Sequence, residues 1–165
     1  MAADAPQRWQ LPSADHTAAL GAALARCCPW GEAPQLLFLS GELGSGKTTL
    51  AAAMLESLGV TEPVRSPSYA LIETYPLEAG LAVHIDCYRL NHAVELEQLG
   101  LRDYHAPRTL WLVEWPERAL AALPAPDLWL RLRVLAKGRT AEIEVHSTLG
   151  SAWLRRLETG LPCQS

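Results

Sequence analysis

The chain has no excess of positive charge. Its 14 Lys and Arg are outnumbered by 18 Asp and Glu, for a formal net charge of −4. A protein that grips a nucleic-acid backbone by itself shows a basic face, so this balance gives no support to direct DNA or RNA binding. Cysteine is scarce: Cys27, Cys28, Cys87 and Cys163, with no C-x-x-C pair. Adjacent Cys27 and Cys28 make a poor structural bridge. A disulfide framework and a zinc site are therefore both disfavoured, and reduced thiols are expected. No apolar run approaches transmembrane length. The stretch Met1-Ala2-Ala3-Asp4-Ala5-Pro6 has no basic region leading into an apolar core, so no signal peptide is expected. These absences predict a cytoplasmic protein that does not meet a membrane. There is also no internal repeat, low-complexity tract or linker. With 165 residues, 49% of them apolar and 19% charged, the expectation is one soluble domain over 1–165, its core at about 11–147.

What is present centres on one stretch, Gly41-Glu42-Leu43-Gly44-Ser45-Gly46-Lys47-Thr48-Thr49. It fits the phosphate-binding P-loop pattern G-x-x-x-x-G-K-[ST]. Glycine permits the backbone dihedrals that turn consecutive N–H groups inward, and those groups form a nest for the β-phosphate. Lys47 supplies positive charge toward the β/γ oxygens, and the Thr48 hydroxyl is the expected Mg²⁺ ligand. The context agrees. Before the loop, residues 35–40 form a short apolar run suited to a buried strand. After it, residues 47–58 are strong helix formers closed by Gly59. The loop thus falls between a strand and a helix N-terminus, where the helix dipole also favours phosphate.

Taken in order, the chain opens loosely over residues 1–12, with a short edge strand near Arg8 to Leu11. Ser13 or Asp15 caps a helix that runs to about Cys28. Leu20, Ala23, Leu24, Cys27 and Cys28 share one face of it. Beyond the P-loop unit, Val64-Arg65-Ser66-Pro67-Ser68-Tyr69 is a loop entering a strand at 70–75. A turn at 78–80 leads into a second strand at 81–88, so a hairpin and a mixed sheet are expected. A short helix is expected at 93–99, a loop at 103–107, a strong strand at 109–114 and a helix at 117–123 after Pro116. Residues 129–135 and 140–146 alternate around Lys137-Gly138-Arg139 and read as a second hairpin. A terminal helix at 151–158 and a frayed last five residues complete the reading.

A phosphate loop needs a carboxylate to organise metal and water before it can do chemistry. Two strands end in one: His84-Ile85-Asp86 and Val113-Glu114. Each is otherwise uncharged, so each delivers a single acid to a sheet edge. The plainer alternative is a solvated acid at a strand end. Ser66 and Ser68 sit where nucleotide hydrolases keep a γ-phosphate sensor, or are simply turn residues beside Pro67. Arg65, Arg89, Arg102 and Arg139 are candidates to neutralise phosphate, although a surface arginine is the simpler reading of any one. Trp115 covers the site, meets a partner, or packs in the core. His84 shares the parity of Asp86, and a packed core histidine is its plainer reading. No Asn-Lys-x-Asp segment is present to recognise guanine, which disfavours a GTPase. No Arg-rich lid is evident, which weakens a small-molecule kinase.

The P-loop, Ser66-Pro67-Ser68-Tyr69-Ala70-Leu71-Ile72-Glu73, His84-Ile85-Asp86-Cys87-Tyr88-Arg89-Leu90, Gly100-Leu101-Arg102-Asp103-Tyr104 and Val113-Glu114-Trp115 occur in an order and spacing that resemble the bacterial TsaE (YjeE) family. The resemblance spans about residues 11–147. It implies an α/β fold, P-loop NTPase-like and three-layered, with a mixed central sheet containing hairpins. It implies ATP/ADP with Mg²⁺, held by Gly44, Ser45, Gly46, Lys47, Thr48, Thr49 and Ser68. Thr48 and Glu114 are implied as metal ligands, and Lys47, Asp86 and Glu114 as the catalytic set. It further implies an ATPase, weak alone, of tRNA N6-threonylcarbamoyladenosine synthesis at adenosine 37. The implied partners are TsaD and TsaB, which the ATPase resets by hydrolysis, with tRNA met only through them. Family members often carry Thr where Ser68 stands, and an aliphatic residue at Cys87. The competing readings are a metabolite kinase and a nucleotide-gated binding module with negligible turnover.

Overall fold

The computed structural model describes residues 6–160. The five C-terminal residues expected to fray, and the first five of the expected loose start, lie outside them. The elements run β1 (Gln7–Leu11), α1 (Ala14–Arg26), β2 (Gln35–Ser40), α2 (Lys47–Ser57), β3 (Ile72–Pro76), β4 (Leu81–Asp86), α3 (Val94–Gln98), β5 (Thr109–Glu114), β6 (Leu128–Val134), β7 (Arg139–Val145) and α4 (Thr148–Gly160). One seven-stranded sheet has the order β1-β7-β6-β2-β5-β4-β3. Strands β6, β2, β5 and β4 are parallel neighbours. The flanking pairs β3–β4, β6–β7 and β1–β7 are antiparallel, as the two expected hairpins require.

Strand parity builds three layers. Successive side chains of a strand point to opposite faces. On one face, Leu37, Leu39, Ala82, Leu110, Leu112, Leu128 and Leu130 join the buried residues of α1, α2 and α4 in one core. On the other, Leu36, Phe38, Val83, Ile85, Trp111 and Val113 pack with Leu96 and Leu101. Both faces of β2 and β5 are therefore covered, and every residue of the two strands is buried. That explains their continuous apolar runs. Helices α1 and α2 pack so closely that a Cβ at Gly21 would stand 2.5 Å from the Leu50 carbonyl oxygen. On the same side, the Trp153 indole N–H donates to the Leu24 carbonyl at 2.9 Å and ties α4 to α1.

Five expectations change. The terminal helix expected at 151–158 runs from Thr148 to Gly160. The strand expected from residue 70 begins at Ile72, because the Leu71 N–H closes a turn onto the Pro67 carbonyl at 2.7 Å and Leu71 takes φ 67°. The next strand ends at Asp86, two residues early, because Leu90 N–H bonds back to Cys87 and turns the chain. The helix expected at 117–123 is only a 3₁₀ turn, Pro116–Arg118. Ala119 is the one fully buried residue of 117–123, with Ala122 and Leu123 only partly buried against the core, and so short a segment does not hold a helix unaided. The loop expected at 103–107 begins inside a second 3₁₀ turn, Leu101–Tyr104.

Candidate functional site

Parity also decides where the charges go. His84 and Asp86 share the face of Ala82, and Glu114 shares that of Leu110 and Leu112, so all three point to the α2 side of the sheet. Asp86 and Glu114 are register partners across β4 and β5. β5 lies between β4 and β2, and β2 feeds the P-loop. Glu114 is thus carried to the loop itself, with Asp86 one strand further out.

The loop closes into a cleft of about 450 Å³. Gly44, Gly46, Lys47, Thr48, Thr49, Ser66, Ser68, Asp86, Tyr88, Arg89, Glu114, Trp115 and Arg139 are among its lining. Gly46 begins α2 at φ 106° with no side-chain cap. Only glycine takes that backbone without strain, and the first N–H groups of the helix are left to an incoming anion. Of the predicted binding residues, Ser45 alone does not line the cleft. It is buried, and its N–H donates to the Glu42 carbonyl at 3.1 Å.

Lys47 is folded back over the loop. Its ammonium donates to the Gly41 carbonyl at 2.7 Å and the Glu42 carbonyl at 2.9 Å. It also lies 4.1 Å from the centre of the Trp115 ring. Burial holds its pKa below the ordinary lysine value, while the carboxylates of Glu114, Glu117, Asp86 and Glu42 oppose that shift. The two acids have separate holders. The Thr48 hydroxyl lies 3.0 and 2.9 Å from the two oxygens of Glu114, and His84 Nε2 lies 2.9 Å from Oε1. Asp86 accepts from the Ser66 hydroxyl and from the Tyr88 N–H at 2.8 Å. Glu114 and Asp86 are 2% and 4% exposed, so the solvated-acid reading fails for both.

Trp115 sits at φ 56°, held by its N–H to the Leu39 carbonyl at 3.1 Å, with its ring tilted 45° against Tyr88 at 5.0 Å. Of the four candidate arginines, Arg89 and Arg139 reach the cleft and Arg65 and Arg102 do not. Arg139 Nη1 donates to the Thr17 hydroxyl at 3.3 Å. Arg102 pairs with Glu97 at 3.7 Å instead. Two contacts escaped the reading of the sequence: His84 to Glu114, and Ser66 to Asp86. Parity put His84 on the right face, but only the strand register shows which acid it meets.

The donor set suits nucleotide and Mg²⁺. A hydroxyl and two carboxylates are hard oxygen ligands, and Mg²⁺ is held by one or two carboxylates together with substrate phosphates. The uncapped helix start and Lys47 suit the phosphates.

Comparison with known proteins identifies the family. Residues 11–142 match the family described as threonylcarbamoyl adenosine biosynthesis protein TsaE. The tRNA threonylcarbamoyladenosine biosynthesis protein TsaE of Haemophilus influenzae is 36% identical over 115 residues, 70% of this chain and 73% of that protein. Its namesake in Streptomyces coelicolor is 38% identical over 140 residues, 81% and 91% of the two chains. That of Bacillus subtilis is 32% identical over 126 residues, 76% and 77%. The crystal structure of Bacillus subtilis YdiB superposes with a TM-score of 0.77 over 96% of this chain and 97% of that one, at 23% identity, which speaks for the fold. No helix among the described residues is long and apolar enough to cross a membrane. With four-fifths of its length inside the family match, a P-loop at the end of β2 and two buried acids closing on it, the chain belongs to the TsaE family.

Proposed function

We propose that this protein binds ATP with Mg²⁺ and hydrolyses it as a subunit of the tRNA N6-threonylcarbamoyladenosine synthesis machinery, resetting a TsaB–TsaD complex between turnovers. One observation carries the reading: Thr48 and Glu114 are joined at 2.9 Å beside the P-loop, with Asp86 paired across the strands. The α2 N-terminus and Lys47 bind the phosphates. Lys47 leaves the Gly41 and Glu42 carbonyls to do so. Thr48 and Glu114 hold the cation, and Asp86 orients the attacking water. Ser68, which lines the cleft, senses the γ-phosphate. When bound, Mg²⁺ neutralises charge developing on the β/γ oxygens.

Turnover by the chain alone is weak in this reading, because the segment that carries Ser66 and Ser68 is loop, and such loops are ordered by partners. The rim of the cleft supports a partner-facing role. Leu43 and Tyr69 are 74% and 83% exposed, and Arg89 lies 4.0 Å over the Tyr69 ring. Exposed tyrosine and arginine of this kind dominate protein interfaces. A net charge of −4 fits an ATPase that meets tRNA only through its partners. The names of the relatives favour neither the kinase nor the passive switch. The test is phosphate release from ATP, alone and with purified TsaB–TsaD. Strong stimulation that disappears in Lys47→Ala is expected. An unstimulated rate with intact ATP binding overturns the ATPase role.

A further inference from the structure

We propose that His84 is a positioning residue for Glu114: it donates from Nε2 and fixes the carboxylate against Thr48. The inference rests on the nucleotide-and-Mg²⁺ reading of the cleft and deepens it. His84 is fully buried and Glu114 is 2% exposed, with Nε2 and Oε1 2.9 Å apart. A buried carboxylate is costly unless donors surround it. Thr48 offers one hydroxyl proton, shared between both oxygens. His84 is the second donor, and it contacts Oε1 alone. Of the two neutral tautomers, the one with its proton on Nε2 donates to Oε1. The other sets a lone pair against an acid.

The rest of the ring argues the same way. Nδ1 is buried and has no hydrogen-bond partner among the described residues. An apolar side chain of similar size would fill the site without that orphan atom. Among the described residues, the bond to Glu114 is therefore the one polar use the ring has. The contact is also selective. Asp86 is held by Ser66 and the Tyr88 N–H, not by His84. Losing His84 should release Glu114 and leave Asp86 in place. Groups that orient a metal ligand in this way typically change metal affinity or activity by about 10- to 100-fold.

The test uses His84→Leu, which removes the donor, and His84→Gln, whose amide reaches Glu114 and donates. ADP binding is measured by calorimetry across a Mg²⁺ series, alongside thermal unfolding. In His84→Leu, ADP binding in EDTA should match the wild type, while the Mg²⁺ midpoint rises about 10- to 100-fold. With TsaB–TsaD present, kcat should fall and the KM for ATP should hold. His84→Gln should recover most of both losses. If His84→Leu does not fold, His84→Met serves as the donor-free variant against His84→Gln. A wild-type Mg²⁺ midpoint in the donor-free variant, or equal values in the donor-free and Gln variants, sinks the positioning role. Wild-type protein whose ADP binding ignores Mg²⁺ sinks the functional reading itself, and this inference with it, before any variant is made.

Discussion

The parallel centre of the sheet and its antiparallel flank treat charge in opposite ways. Strands β2, β5 and β4 carry no charge along their length except the terminal acids Asp86 and Glu114, which share the cleft side with the polar His84. Strands β1, β7 and β6 alternate, and four of their charges pair across strands: Arg8 with Glu142 at 2.6 Å, and Arg131 with Glu144 at 3.1 Å. Burial accounts for the contrast. The centre is covered on both faces, so a charge there must be held by a specific partner. The flank leaves one face to water, where an ion pair contributes little. Charge in the centre therefore marks chemistry, and charge in the flank marks a solvated face. Arg139 is the exception, since it starts β7 and still reaches the cleft.

The sharpest way to break this contrast is Lys47→Ala. With the ammonium gone from the helix start, ADP binding by calorimetry should become undetectable. Retained micromolar binding would show that the loop amides suffice. Phe38→Ala tests the apolar centre. Phe38 is 1% exposed and meets Trp129 edge-on at 5.5 Å, so urea unfolding should report a loss of about 3–5 kcal/mol. A loss below about 1 kcal/mol would mean that the β2 core repacks freely. Asp86→Asn keeps the shape and removes the charge. Partner-stimulated phosphate release should drop on the order of 100-fold or more, with ADP affinity nearly unchanged. Equal losses of both would move Asp86 from water orientation to binding.

The flank should respond least. Hydrogen bonding from Arg131 holds the Glu144 carboxyl below its ordinary pKa of 4.5, against the opposing effect of burial, and His146 adds to the lowering. A depressed carboxylate contributes stability above the unfolded value. That contribution should be fully present above about pH 4.5 and lost as the pH falls through the lower folded value. With a third of the side chain exposed, it should amount to under about 1 kcal/mol. Comparing wild type and Arg131→Ala by unfolding at pH 7 and pH 3 checks the sign, since the gap should close in acid. A gap that widens in acid would place Glu144 in some other pairing.

Much of this contrast was legible in the sequence, and for a local reason. The runs at 35–40 and 109–114 match β2 and β5 at both ends, because strands buried on both faces are written as unbroken apolar runs. The P-loop was legible because its glycines and Lys47 are tied to backbone geometry within nine residues. Residues 117–123 misled because Pro116 opens a helix as readily as it opens a 3₁₀ turn, and only packing selects between them. Leu71 misled because it stands in an apolar run with Ile72, yet its left-handed backbone is set by the turn onto Pro67, not by its own preference.

The sequence by itself determined which side chains could do chemistry: a phosphate loop, two acids at strand ends, and a histidine in parity with one of them. Periodicity and loop geometry are local, so they can be read along the chain. Tertiary structure decided the partners. The order β2-β5-β4 sets Glu114, not Asp86, against Thr48, and brings His84 to the same carboxylate. Strand order is chosen by burying whole faces far apart in sequence, and no window of residues contains that choice.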